Sequence, residues 1–173
     1  MISRRKFLKT LVAGAAFLAV PGAYAQPHSG NILRMYNIHT GEKLDIGYCL
    51  PGVCDREAAE KINYFLRCHY TDEIREIDLS LIDLLCRIKD AVVTEQEIQI
   101  ISGYRSPAYN ETLICQGRNV SRNSLHLQGL AIDFAIEGIG SDRLSRIAKS
   151  FAAGGVGKYP EFVHIDVGRV RYW

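Results

Sequence analysis

The stretch Ser124-Leu125-His126-Leu127-Gln128-Gly129-Leu130-Ala131-Ile132-Asp133, taken with His164-Ile165-Asp166 further on, restricts the fold more than any other part of this chain. It supplies two imidazoles and a carboxylate without using a cysteine. His126 and Asp133 are seven apart, which would suit one face of a helix, but Gly129 interrupts the run. Leu130, Ile132, Phe134 and Ile136 alternate with Ala131, Asp133 and Ala135, which is the period of a strand. On one straight strand an odd separation sends two side chains to opposite faces. The chain is therefore expected to turn near Gly129, with His126 arriving from the turn and Asp133 from the strand. Phe162 to Val167 reads as another strand, on which His164 and Asp166 are two apart and share a face.

Two histidines and an aspartate are the ligand set of a hydrolytic zinc site, in which three protein groups hold the ion and a water takes the fourth position. A structural zinc site is more often closed by thiolates. A lone histidine is usually a hydrogen-bonded core or surface residue, so it is the grouping that points to one zinc ion. Metal-assisted hydrolysis also needs a carboxylate to receive the water proton and pass it to the leaving amine. Asp166 and Glu161 compete for that role, and Asp166 is preferred because it shares a strand face with His164. The alternative for Asp166 is to orient a ligand imidazole through its other nitrogen. For Glu161, beside Pro160, the alternative is an exposed turn residue.

Ser102-Gly103-Tyr104-Arg105-Ser106, then Ser-x-His-x-x-Gly-x-Ala-x-Asp, then Gly154-Gly155-Val156-Gly157 leading to His-x-Asp and Arg171-Tyr172-Trp173, resembles the peptidase M15 group of zinc enzymes. Within that group the chain is most similar to exported murein endopeptidases of the MepK type. The resemblance implies a zinc ion held by His126, Asp133 and His164, and water-mediated cleavage of the peptide cross-links of peptidoglycan, with carboxypeptidase action as an added possibility. It also implies Arg105 at the site, binding a substrate carboxylate or steadying the tetrahedral intermediate, with Tyr104 and Ser124 as pocket walls. The His-x-Asp of the nearest subfamily falls on Asp166, and the Glu-x-x-His of the carboxypeptidase and dipeptidase branches falls on Glu161. The competing function is a zinc-stabilised domain that binds peptidoglycan without cutting it.

Residues 1–25 begin Ser3-Arg4-Arg5-Lys6-Phe7-Leu8-Lys9, continue with the apolar run Leu11 to Val20 and end Ala23-Tyr24-Ala25. A basic start, a short apolar core and a small-x-small end make a secretory signal, and the paired arginines point to the twin-arginine export machinery. The run is too short to span a bilayer comfortably. Cleavage after Ala25 would leave a periplasmic protein with no stable membrane anchor. It would also remove four basic residues and no acid, turning the formal charge of +2 into −2. Nucleic acid is excluded as a partner, because no basic patch interleaved with aromatics remains. Cys49, Cys54, Cys68, Cys86 and Cys115 are expected to be structural, with one or two disulfides and Cys49–Cys54 the easiest local pair.

A linker is expected over 26–31 and one domain over 32–173. Ile32 to Ile38 and Lys43 to Leu50 read as a hairpin around Thr40-Gly41. Asp55 is placed to cap a helix running to about Tyr70, with Ala58, Ala59, Ile62, Phe65 and Leu66 on its core face. A second helix runs from Asp78 to about Val92, with Leu81, Leu84, Leu85 and Ile88 at helical spacing. A short strand over Glu97 to Ile101, a helix from Pro107, a polar loop over Gly117 to Asn123, a helix over Ser141 to Ala153 and a turn over Gly154 to Gly157 complete the reading. The order favours an α+β domain with a small, mainly antiparallel sheet, flanking helices and the zinc site on the sheet.

Overall fold

The computed structural model describes residues 32–47 and 56–173. The expected leader, the linker, the Asp55 cap and the Cys49–Cys54 pair lie outside the described residues. The hairpin forms as read: β1 (Ile32–Asn37) pairs antiparallel with β2 (Lys43–Gly47) around Gly41, whose φ of +72° suits a residue without a side chain. Next come α1 (Arg56–Phe65) and α2 (Leu79–Val92), then β3 (Ile98–Ser102) and α3 (Pro107–Cys115). A 3-10 turn (Leu125–Gln128) leads into β4 (Ala131–Ile136) and α4 (Ser141–Ser150). The chain closes with β5 (Gly155–Lys158), β6 (Val163–Asp166) and β7 (Arg171–Tyr172).

Side chains already visible in the sequence set two helix starts. Asp78 accepts from the Ser80 amide at 2.8 Å to begin α2, and Ser106 accepts from the Tyr109 amide at 3.2 Å with Pro107 following. The core-facing stripe of α2 is as expected: Leu81, Leu84, Leu85 and Ile88 are all buried. They pack in one core with Met35, Ile98, Ile100, Ile132 and Phe134 from the sheet. Truncating a buried leucine such as Leu85 to Ala costs about 2–5 kcal/mol in such a setting.

The domain is α+β, but its seven-stranded sheet is mixed rather than mainly antiparallel. Its order is β2-β1-β3-β4-β6-β5-β7, and β1–β3 and β5–β7 run parallel. The cause is connectivity. The link from β1 to β3 passes through β2, α1 and α2, a crossover long enough to bring β3 back in the same direction. The strand β6 reverses beside β5, so β7 returns on the other edge of β5 aligned with it.

Three further boundaries differ from the sequence reading. The helix α1 stops at Phe65 rather than near Tyr70, and the Leu66 carbonyl instead accepts from the Tyr104 amide at 2.8 Å. The helix α4 ends at Ser150 rather than Ala153, ahead of Ala152 at φ +48°. Gly154 to Gly157 is not a turn, because residues 155–158 form β5. Those glycines are needed for close approach. A Cβ on Gly154 would strike the Asp166 carbonyl, and one on Gly157 would lie 2.6 Å from the Trp173 indole.

Candidate metal centre and its cavity

Strand register assembles the site. Asp133 on β4 lies directly opposite His164 on β6 and, past an irregularity in β3, opposite Ser102, while His164 in turn lies opposite Gly157. Cross-strand partners of this kind stand about 4.5–5.5 Å apart, so residues distant in sequence become side-by-side neighbours. The third group arrives from the 3-10 turn that ends at Gly129, φ +72°. A Cβ on Gly129 would collide with the Glu76 carbonyl, so this tight turn accepts glycine on two grounds. His126 therefore comes from the turn and Asp133 from the strand, as the spacing requires.

The three groups converge. Asp133 Oδ1 lies 2.8 Å from His164 Nδ1 and 3.3 Å from His126 Nε2, and the two ring nitrogens are 3.2 Å apart. His126, Asp133 and His164 are all buried and form a group that could hold a metal ion. The outer nitrogens are engaged elsewhere. His126 Nδ1 donates to the Gly103 carbonyl at 2.8 Å, and His164 Nε2 donates to Asp166 Oδ2 at 3.1 Å. With those protons outside, both inner nitrogens present lone pairs towards each other and towards a carboxylate. A single proton would satisfy one such pair, whereas a cation satisfies all three, so the donor set fits a metal ion.

Electrostatics agree with the geometry. With no cation at the centre, a second proton on either ring would be donated to Asp133: burial acts to raise the Asp133 pKa, but the neighbouring His126 and the hydrogen bonds from such doubly protonated rings outweigh it and hold the carboxyl well below its ordinary range. For His164 burial favours the neutral ring, yet the carboxylates of Asp133 and Asp166 on its two nitrogens favour a second proton and leave its pKa raised; a cation at the centre would take that proton's place. Arg105, 7% exposed, approaches Asp133 Oδ2 at 3.6 Å and donates to Ser102 Oγ at 3.3 Å and Asn110 Oδ1 at 3.4 Å.

The group sits in a cavity of about 840 Å³. Arg105 and Ser124 line it, as do Arg171, Trp173 and the histidines His39 and His69. Tyr104 does not. Its side chain is buried in the core beside α1, because the Gly103–Tyr104 backbone runs against Leu66 so closely that a Cβ on Gly103 would lie 2.6 Å from the Leu66 carbonyl. Glu161 is exposed between β5 and β6 and adjoins Phe162, a lining residue.

Asp166 is fully buried and stands behind His164, not in front of it. Its Oδ1 accepts from the Gly155 amide at 3.0 Å and the Gly168 amide at 2.9 Å. Its Oδ2 receives Arg171 Nη2 at 2.8 Å besides the His164 ring. Burial alone would raise its pKa, but the His164 bond and the two amides bring it down to about 2. The sequence reading missed His39 and His69, which lie in separate loops with no motif around them. Among the described residues Cys68, Cys86 and Cys115 are free thiols.

The profile of the peptidase M15 family described as peptidoglycan L,D-endopeptidase MepK matches residues 25–173. This chain belongs to that family. It is similar to peptidoglycan L,D-endopeptidase MepK of Escherichia coli strain K12, with 39% identity over 99% of this chain and 97% of the relative. The same protein of Shigella flexneri matches equally well. A probable peptidoglycan L,D-endopeptidase MepK of Haemophilus influenzae is 36% identical over 82% of this chain and 78% of its own length. Among the described residues no helix is long and apolar enough to cross a membrane.

Proposed function

We propose that this chain is a zinc-dependent hydrolase that cuts L,D peptide cross-links of peptidoglycan. The observation that carries the reading is the convergence of His126 Nε2, Asp133 Oδ1 and His164 Nδ1 on a cavity wall, with the outer ring nitrogens already occupied. Membership of the MepK family over nearly the whole chain supplies the substrate class. His126, Asp133 and His164 would hold one zinc ion. Bound there, the ion would lower the pKa of a water to about 7 and polarise the scissile carbonyl.

The chain's own groups divide the remaining work. Arg105 reaches the cavity from beneath Asp133, and its fork of donors suits a substrate carboxylate or the oxyanion of the tetrahedral intermediate. Ser124 forms part of the wall. The burial of Asp166 and its full set of donors argue for a role in fixing the His164 ring. Proton transfer then falls to Glu161, the acid three residues before His164, which stays in contact with solvent next to the cavity-lining Phe162. This reverses the preference that the shared strand face suggested.

Residues 1–25 are proposed to direct twin-arginine export to the periplasm, with cleavage after Ala25. Replacing Arg4 and Arg5 together with Lys should strand the precursor inside the cell, and normal export of that variant would end the assignment. For the catalytic reading the test is digestion of defined cross-linked muropeptide dimers by the zinc-loaded chain, with products identified by mass. Loss of the L,D cross-link supports it. Tight binding of the dimer without cleavage would mean a peptidoglycan-binding domain, and release of terminal residues alone would mean a carboxypeptidase.

A further inference from the structure

Behind the proposed metal centre lies a closed ring of four side chains. His164 donates to Asp166, and Asp166 is gripped by Arg171 through both oxygens, Nη2 to Oδ2 at 2.8 Å and Nη1 to Oδ1 at 3.2 Å. The Arg171 guanidinium lies 5.1 Å from the centre of the Trp173 ring. The Trp173 ring in turn lies 5.3 Å from the His164 ring. Two glycines make room for the grip: a Cβ on Gly155 would meet Arg171 Nη1 at 2.8 Å and the Asp166 carboxyl carbon at 2.9 Å, and one on Gly168 would meet Asp166 Oδ1 at 3.1 Å. Arg171 also donates to the Arg169 carbonyl at 3.0 Å, so its head is held from its own strand end as well.

From this arrangement we infer that Arg171 is a positioning residue for the metal centre, acting through Asp166 on His164. The inference rests on the reading of His164 as a ligand. Oδ2 of Asp166 is shared between Arg171 Nη2 and His164 Nε2, so the fork sets where that oxygen stands. The oxygen in turn fixes which His164 nitrogen carries the proton and where Nδ1 points, which is how partners behind a ligating histidine tune a metal site. A lysine could supply the charge but only as a single point, and would hold one carboxylate oxygen rather than two. The orientation at stake is that of Nδ1 towards Asp133 and His126.

The test is a double-mutant cycle on the mature chain read by metal binding, with no substrate present. Zinc affinity is measured by competition with a chromogenic chelator for the natural chain, Arg171→Met, Asp166→Asn and the double variant. The visible absorption of the cobalt(II)-loaded forms reports ligand geometry. Arg171→Met should weaken zinc by about 10–100-fold and alter the cobalt spectrum. In the Asp166→Asn background the same replacement should change affinity by less than about twofold, since the residue it acts through is gone. Arg171→Lys keeps a cation over the buried carboxylate and guards against simple misfolding. It should restore the fold, seen as a cooperative melt, but only part of the affinity. An unchanged affinity and spectrum in a folded Arg171→Lys and Arg171→Met pair, or losses that add in full across the cycle, would overturn the proposal. Failure of the natural chain to bind zinc at all would instead overturn the function proposed above.

Discussion

One cavity holds two pairs of histidines, and they behave in opposite ways. His126 and His164 meet edge to face, 5.1 Å between centroids at 63°, with a carboxylate between their inner nitrogens. His39 and His69 lie flat on each other, 3.9 Å apart at 13°. In this second pair His39 Nε2 contacts the Ile101 carbonyl and His69 Nε2 the Tyr109 hydroxyl, and Tyr109 stacks on Tyr70 beyond it. The first pair aims lone pairs at one point, and its charged neighbours include the carboxylates of Asp133 and Asp166. The second offers ring faces, and its charged neighbour is the cation Arg105. A count of histidines around a cavity is thus a poor guide to metal binding; the direction of the nitrogens and the sign of the charge behind them decide it.

The largest effect should come from breaking the convergent pair. His126→Ala or Asp133→Asn should bring zinc from about one per chain to near zero and abolish muropeptide cleavage, because two remaining ligands do not make a tetrahedral site. Metal analysis of the dialysed variants checks this, and full occupancy would place the site elsewhere. Next in size is the division between the acids. Glu161→Gln should keep zinc yet lose about 10²–10⁴-fold in kcat, the usual worth of a general acid-base group. Asp166→Asn should instead weaken zinc by about 10–100-fold, with excess zinc recovering much of the rate. Assays at limiting and saturating zinc separate the two, and the reverse pattern would return the proton-transfer role to Asp166.

Smaller effects sharpen the contrast from the stacked side. His69→Phe preserves the stack and should leave zinc at about one per chain. Its consequence is for stability against pH. Burial first, then the charges of His39 and Arg105, lower the His69 pKa from 6.5 to about 4. The unfolded chain therefore takes up a proton near pH 6.5 that the folded one refuses until about pH 4. This contribution to stability is complete above that window and is lost as pH falls through it. Denaturant melts across the window should show a shallower decline for His69→Phe. An unchanged slope would mean that His69 titrates freely.

Much of the convergent pair was legible in the sequence, and the stacked pair was not. Gly129 within an alternating run announced both the turn and the strand, so the arrival of His126 and Asp133 from different elements followed from side-chain period alone. The shared face of His164 and Asp166 was equally readable, but a shared face does not say which imidazole nitrogen meets the acid. That depends on Arg171 and on the amides of Gly155 and Gly168, which reach Asp166 only after β5, β6 and β7 assemble. Gly154 to Gly157 misled for a related reason: glycine signals either a bend or a close approach, and only the neighbouring strand and the Trp173 indole reveal which. Tyr104 illustrates the limit of a motif, since its neighbour Arg105 faces the cavity while Tyr104 packs inward. The parallel pairing of β1 with β3 is decided by a crossover through two helices, beyond the reach of local pattern.

The register of β4 against β6 carries a consequence for quality control. Because strand side chains alternate, a slip of one residue would turn His164 away from Asp133 and send Asp166 to the other face of the sheet. A chain slipped by one residue would lack the convergent set altogether. If the centre takes up metal as proposed, loading would double as an inspection of the fold, passed only by chains whose strands have found their proper partners.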